Sequence, residues 1–145
     1  MWAHDVGLAA TRFHRWMKNA IDDALKPFGL SGAEYGALLY IDRNAGTSNA
    51  DLARFLMVTP QALGRMTARL QDRDILGRDA RDAVGRRRPL SLTANGTEAL
   101  RRAAPAVEAA QAALLSPLSA DEQRSFLRAL EACSPAVAHS RKDPA

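Results

Sequence analysis

Two helix-start signals stand only eleven residues apart in the middle of the chain, and this spacing limits what the chain can fold into. Ser48 is a hydroxyl N-cap with Asp51 at the N3 position, and Thr59 is followed by Pro60, a residue suited to the first position of a helix. The sequence therefore predicts two short helices joined by the tight link Met57-Val58. Short helices are marginal in isolation, so this pair must pack on its apolar positions, which are Leu52, Ala53, Leu56, Leu63, Met66 and Leu70.

Longer amphipathic helices flank this pair. Apolar residues at three- and four-residue intervals predict a first helix that Pro27 and Gly29 end. Ser31 caps a second helix over 32–43, and Thr93 begins another that runs to about 115, with an expected kink at Pro105. A capping box predicts the start of a last helix, in the sequence Ser119-Ala120-Asp121-Glu122.

The periodicity changes between these helical regions. Residues 75–78 and 90–93 are short candidate strands, and the polar, arginine-rich stretch 79–89 between them contains Gly85. This pattern predicts a hairpin with a long tip. A helix pair followed by a basic hairpin is a winged helix-turn-helix. The expected fold is therefore mainly α, with a two- or three-stranded β-wing.

The positive charge of the chain is concentrated in the same region. The chain has 20 Lys and Arg, 16 Asp and Glu, and a formal net charge of +4. Residues 65–88 hold eight arginines and four aspartates, so this stretch accounts for the whole excess. A local basic patch favours a polyanionic partner, and a solvated arginine-rich surface is the equally weighted alternative.

Other classes of protein lack support in the 145 residues. The N-terminus has no signal-peptide pattern, no apolar run could span a bilayer, and the single Cys133 cannot form an internal disulfide. We therefore expect a cytoplasmic protein without a membrane partner. His4, His14 and His139 are scattered, and we expect no metal site, no cofactor and no enzymatic activity.

Over about residues 29–96 the sequence resembles the MarR family of transcriptional regulators. The resemblance lies in Gly29-Leu30-Ser31, in Asp51-Leu52-Ala53, in the helix 58–70, in the arginines after Gly85, and in Leu92-Thr93-Ala94-Asn95-Gly96. Leu118-Ser119-Ala120-Asp121-Glu122 resembles the start of the family's last helix. The sequence departs from the family pattern at Val84, where an Asp is common, at Gly64, where a hydroxyl residue is frequent, and at Asp74, where a glycine often stands.

The resemblance implies that residues 58–70 form a recognition helix in the major groove and that the hairpin reaches the DNA backbone or the minor groove. Arg65 and Gln61 are expected to contact bases or phosphate, and Arg86 is expected in the minor groove. Asp82 could replace the missing acidic partner of the wing. The predicted DNA-binding residues are Thr59, Pro60, Gln61, Gly64, Arg65, Arg69, Arg86, Arg87 and Arg88.

The resemblance also implies a pocket for an aromatic or phenolic effector, formed by His14, Arg15, Trp16 and Tyr35. Packing of Trp16 in a dimer interface, with Arg15 solvated, is the favoured alternative. Cys133 could be a redox switch, but its apolar neighbours on a helix favour a buried, inert thiol.

The predicted protein is a single unit over 1–145. A winged helix-turn-helix lobe spans 30–93, a helical dimerisation lobe combines 5–28 with 94–138, and 139–145 is expected to be disordered. Its predicted function is that of a homodimeric repressor which binds a pseudo-palindromic double-stranded operator and is released by a small aromatic ligand. The alternatives are a non-specific or architectural DNA-binding protein, a redox-responsive regulator of the same fold, and a winged helix that binds protein.

Overall fold

A computed structural model describes residues 5–78 and 88–134. Six α-helices and one two-stranded sheet lie within these ranges: α1 Val6–Leu25, α2 Gly32–Arg43, α3 Asn49–Leu56, α4 Pro60–Asp72, β1 Leu76–Arg78, β2 Leu90–Leu92, α5 Ala94–Leu115 and α6 Ala120–Cys133. The chain divides into two units, Met1–Leu114 and Leu115–Ala145. The lobe boundaries expected from the sequence, at residues 30 and 93, remain a prediction.

The predicted caps determine where the helices begin. Ser31, Ser48 and Ser119 each accept a hydrogen bond from the N3 backbone N–H, and the N3 carboxylate accepts one from the cap N–H in return. Thr59 caps α4 through its hydroxyl, with Pro60 at the first helical position. The end of α1 is also confirmed, because a short 3-10 helix over Lys26–Phe28 follows it and ends at Gly29, which has a φ of 66°. These caps and the glycine act within a few residues along the chain, and local sequence patterns could therefore predict them.

The helix pair is the predicted helix-turn-helix. Met57, with a φ of 56°, ends α3, and its backbone N–H donates to carbonyls of that helix. The apolar faces of α3 and α4 are buried as expected, with Leu52, Leu63 and Leu70 almost fully covered. They join a core that is completed by residues of α1, α2, β1, β2 and α5, among them Leu25, Leu38, Ile41, Leu76, Leu90 and Val107.

The wing begins as a two-stranded antiparallel hairpin. Leu76 lies opposite Leu92 and Arg78 opposite Leu90. The Leu90 N–H also donates to the carbonyl of buried Thr47, 2.9 Å away, so one hydrogen bond joins the α2–α3 turn to the wing base. The expected tip falls mainly on residues 79–87, outside the described ranges.

The remaining helices differ in how much they bury. α5 continues through Pro105 and buries Leu100, Ala103 and Val107. In α1 only Leu25 is buried, although the helix is amphipathic. Among the described residues of the second unit, none of α6 is buried, so the predicted buried thiol is wrong for the single chain: Cys133, at the last position of α6, is exposed because nothing in its own unit covers that face.

Candidate nucleic-acid interface

The start of α4 faces solvent. Thr59, Pro60 and Gln61 are exposed. The Thr59 hydroxyl oxygen accepts the Ala62 N–H at 3.1 Å, which satisfies one of the free donors of the first turn. The positive end of the helix dipole therefore lies at an accessible surface, where a phosphate group could approach it.

Arg65 lies one turn further along the same side. Gln61, Gly64 and Arg65 are exposed, while Leu63 and Met66 face the core. Within residues 5–78 and 88–134, the Arg65 guanidinium has no hydrogen bond or ion pair. The structure thus places four of the predicted contact residues on one accessible strip of the helix together with Arg65: Thr59, Pro60, Gln61 and Gly64.

The arginine row expected along α4 does not stay on that strip. Residues four positions apart are displaced by roughly 40° around a helix, so a row with this spacing winds away from its starting face. Arg69 and Arg73 consequently lie near Glu34 of α2, with nitrogen–oxygen distances of 3.7 and 3.9 Å. Sequence reasoning missed Glu34, because nothing in the local pattern indicates a partner 35 residues away.

At the base of the wing, two further arginines lie beside α4. The Arg78 Nη1 donates to the Arg88 carbonyl oxygen at 2.9 Å, and both side chains are exposed. They line a cleft of roughly 740 Å³ together with Ser48, Pro60 and Leu63. Arg88 was predicted as a contact residue and Arg78 was not, although it occupies the last position of β1. Arg86 and Arg87 lie outside the described residues.

The predicted effector residues are only partly brought together. His14 and Arg15 are exposed on α1, and Trp16 is 53% exposed. The arginine beside Trp16 is Arg12, whose Cζ lies 5.1 Å from the ring centroid in a cation–π arrangement, and not Arg15. The spacing of one helical turn, from 12 to 16, could have indicated this pair.

Tyr35 is on a different helix from this pair and is half-buried on α2. Burial raises the pKa of its phenol, the charge of Glu108 on α5 raises it further, and Arg43 opposes this. Tyr35 therefore keeps its proton and can donate a hydrogen bond. No hydrogen bond or ring contact joins Tyr35 to Trp16 in the part of the chain that the structure describes, and none of the four predicted effector residues lines the cleft.

The described residues contain no group of three or more His, Cys, Asp or Glu placed to hold a metal ion. A search of the described helices for one that is long and apolar enough to cross a membrane found none.

Comparison with known proteins identifies the family. A sequence model of the MarR family matches residues 28–88. The HTH-type transcriptional repressor Rv2887 of Mycobacterium tuberculosis is 38% identical over 115 residues, which cover 79% of this chain and 83% of the relative. Two crystal structures of that protein superpose with a TM-score of 0.75. Its complex with salicylic acid is 36% identical and matches 89% of this chain and 96% of its own, and its complex with DNA is 33% identical and matches 90% and 98%.

The winged helix-turn-helix fold expected from the sequence is thus confirmed, both by the described elements and by these relatives. The family consists of DNA-binding regulators and not of enzymes. The chain belongs to the MarR family of transcriptional regulators.

Proposed function

We propose that this protein is a homodimeric repressor that binds a pseudo-palindromic operator through the exposed strip of α4 and leaves it when a small aromatic carboxylate binds. The observation that carries the proposal is the accessible start of α4, which presents the exposed side chains of Gln61 and Arg65 on one side of a helix capped by Thr59. Glutamine and arginine are the side chains suited to adenine and guanine edges in the major groove. The relative Rv2887, itself a repressor, has been crystallised with DNA.

The phosphate contacts in this proposal come from two places, the start of α4 and the base of the wing. Thr59 and Pro60 lie at the start of α4, and Arg78 and Arg88 lie at the base of the wing. Contacts of this kind fix register and orientation without reading sequence. Gly64 leaves room for close approach of the backbone. Arg86 and Arg87 are proposed to extend the wing contact, on the strength of the family resemblance alone.

A second copy of the chain would cover the apolar faces that this chain leaves open. Val6 and Trp16 of α1 are 80% and 53% exposed, and Leu127 and Leu130 of α6 are 57% and 46% exposed. Large exposed apolar residues arranged along amphipathic helices are typical of an interface. We assign residues 5–28 and 94–138 to a dimerisation lobe on this ground, and 30–93 to the DNA-binding lobe. Two-fold symmetry would then place two α4 helices in successive major grooves.

The effector in this proposal is an aromatic carboxylate. Structures of Rv2887 include complexes with salicylic acid and with p-aminosalicylic acid. In this chain, Arg12 and Trp16 offer a cation and a ring face, and Tyr35 offers a protonated hydroxyl. These groups can stack on an aromatic acid and donate to its carboxylate. Bacterial DNA is in the cytoplasm, and we therefore propose that this DNA-binding protein is cytoplasmic.

The test is selection of binding sites from random duplexes by the purified full-length protein. Fluorescence anisotropy would then measure the affinity for the selected site and for a scrambled duplex, with and without salicylate. The expected results are a pseudo-palindromic site, a preference of at least ~10³ over the scrambled duplex at physiological salt, and release by salicylate. A protein that binds both duplexes equally would be an architectural DNA-binding protein, and one with no salt-dependent binding would be a protein-interaction module.

A further inference from the structure

Glu34 is a carboxylate in the interior of the first unit. Among the residues that the structure describes there, Glu34 is the one charged residue that is buried. Its side chain is 10% exposed. It occupies the N3 position of α2, where one oxygen, Oε2, accepts the Ser31 backbone N–H at 3.1 Å. A capping role alone does not require burial, since the equivalent Glu122 of α6 makes the same hydrogen bond from an exposed position.

The recognition helix supplies the charge that compensates Glu34. Arg69 Nη2 lies 3.7 Å from Oε1, and Arg73 Nη1 lies 3.9 Å from Oε2. Each carboxylate oxygen therefore faces one guanidinium, that of Arg69 in the last turn of α4 or that of Arg73, the residue that ends the helix. A buried charge is costly to desolvate unless it is paired, and the two arginines, which are 59% and 41% exposed, supply that pairing from the edge of the core.

The same junction includes the end of α1. The Gly32 N–H, in the first turn of α2, donates to Asp22 Oδ1 at 2.7 Å, and Asp22 is paired with Lys18 at 2.5 Å. Arg73 Nη2 also lies 3.2 Å from the position that a Cβ would take at Gly29. The Arg73 side chain, at the end of α4, therefore reaches the place where α1 ends and α2 begins.

We propose that Glu34 is a positioning residue for operator recognition. It fixes the rotation of α4 about its own axis by holding Arg69 and Arg73, so that Gln61 and Arg65 face the groove. It also keeps these two arginines from the phosphates, which limits binding to DNA of any sequence. The inference rests on the proposed DNA-binding function, and it assigns Arg69, which is 59% exposed, to the pair with Glu34 and not to the contact expected from the sequence.

The decisive variant is Glu34→Gln. Glutamine can keep the capping hydrogen bond to Ser31 but cannot hold the two guanidinium groups by charge. Affinity for the selected operator should fall roughly tenfold, the effect of a mismatched base pair. Affinity for a scrambled duplex should rise, and its salt dependence should steepen by about 0.9 for each freed arginine that reaches a phosphate. Anisotropy titrations of both duplexes at four potassium chloride concentrations measure these quantities.

The matched control is Glu122→Gln. Glu122 has the same N3 position in the same kind of capping box, without an ion pair to an arginine among the described residues. This variant should keep both the ratio of the two affinities and the salt dependence of the wild type. Thermal melting by circular dichroism confirms that each variant is folded at the assay temperature.

A second variant, Arg69→Ala, separates positioning from direct contact and leaves Glu34 paired with Arg73. A positioning role predicts weaker operator binding, with unchanged affinity and salt dependence for the scrambled duplex. If both affinities fall together and the slope decreases by about 0.9, Arg69 contacts phosphate and the inference is wrong. The inference also fails if Glu34→Gln keeps the wild-type ratio of affinities. If the wild type itself does not discriminate between the duplexes, the proposed function fails first.

Discussion

Gly96, in the first turn of α5, lies directly against the carbonyl oxygen of Ile75. A Cβ at Gly96 would overlap that oxygen, and the Ile75 carbonyl carbon would be only 3.1 Å away. The oxygen cannot move aside freely, because it accepts hydrogen bonds from the Thr93 N–H and hydroxyl, each at 3.2 Å. This contact sets how closely α5 approaches the wing base, and it requires glycine at position 96.

The first prediction is that Gly96→Ala destabilises the protein. The added methyl must displace backbone, which costs about 3 kcal/mol at the upper end of the usual range for overpacking. Urea denaturation at fixed protein concentration, followed by circular dichroism, measures this loss of unfolding free energy.

Gly64→Ala is the control for that substitution, since nothing lies within 4 Å of the position of its Cβ and the residue is inside α4. Alanine there should stabilise the protein by about 0.5–1 kcal/mol, because glycine in a helix loses more backbone entropy on folding. Equal effects of the two substitutions would contradict the close approach of α5.

A second prediction concerns the turn of the helix-turn-helix. Met57 adopts a φ of 56° and is 89% exposed, so its side chain gains little from packing while its backbone is in the left-handed region. Met57→Gly should raise the unfolding free energy by about 1 kcal/mol, whereas Met57→Ala should leave it nearly unchanged. Chemical denaturation of the two variants isolates the effect of the left-handed backbone. An alanine variant as stable as the glycine variant would contradict that effect.

A third prediction concerns base reading. Arg65→Ala should lower discrimination between the selected site and its single-base variants by about 1–3 kcal/mol at the contacted position. Competition anisotropy against a panel of such variants locates that position. Arg102→Ala, which removes an exposed arginine of α5, should leave the panel unchanged. If the Arg65→Ala variant keeps the wild-type preference at every base position, Arg65 does not read a base.

A fourth prediction concerns acid stability. The hydrogen bond from the Ser48 hydroxyl lowers the pKa of Asp51, the Ser48 backbone N–H and Arg54 add to this, and burial partly opposes it. A carboxyl with a lowered pKa in the folded state stabilises the protein above its unfolded pKa of about 3.9, and this stabilisation is lost as pH falls through the folded value.

Asp51→Asn should therefore cost stability at pH 6 and progressively less below pH 4. Urea midpoints measured from pH 6 to pH 2.5 test this. Asp42→Asn, at an exposed position of α2 without a hydrogen bond to any described residue, should keep the wild-type profile. Parallel curves for wild type and Asp51→Asn would show that the cap does not depend on the charge.

The sequence predicted the features that depend on near neighbours. The caps at Ser31, Ser48, Thr59 and Ser119 act within three residues, and the burial of Leu63, Met66 and Leu70 follows from helical spacing. Local patterns could not predict contacts between residues that are distant in the sequence. The Glu34–Arg69 contact joins residues on separate helices, and the exposure of Cys133 depends on what covers α6.

The candidate site shows the same division. Placing Gln61 and Arg65 on one side of α4 needed only the period of a helix, whereas finding Glu34 beside Arg69 needed the position of α2. Arg78 was overlooked because its partner is the carbonyl oxygen of Arg88, and backbone groups leave no mark in a sequence.

The hydrogen bond from Leu90 to Thr47 ties the wing base to the turn before α3. Because α3 follows that turn and packs on α4, each protomer of the proposed dimer would carry its wing base and α4 in one fixed angular relation to its half-site. Adding one base pair between half-sites turns one of them by about 36° relative to the other, since a turn of DNA holds about ten. Within one such protomer, neither the wing base nor α4 would turn separately to follow that rotation. In the proposed dimer, tolerance for operator length would therefore come from movement of the two protomers relative to each other.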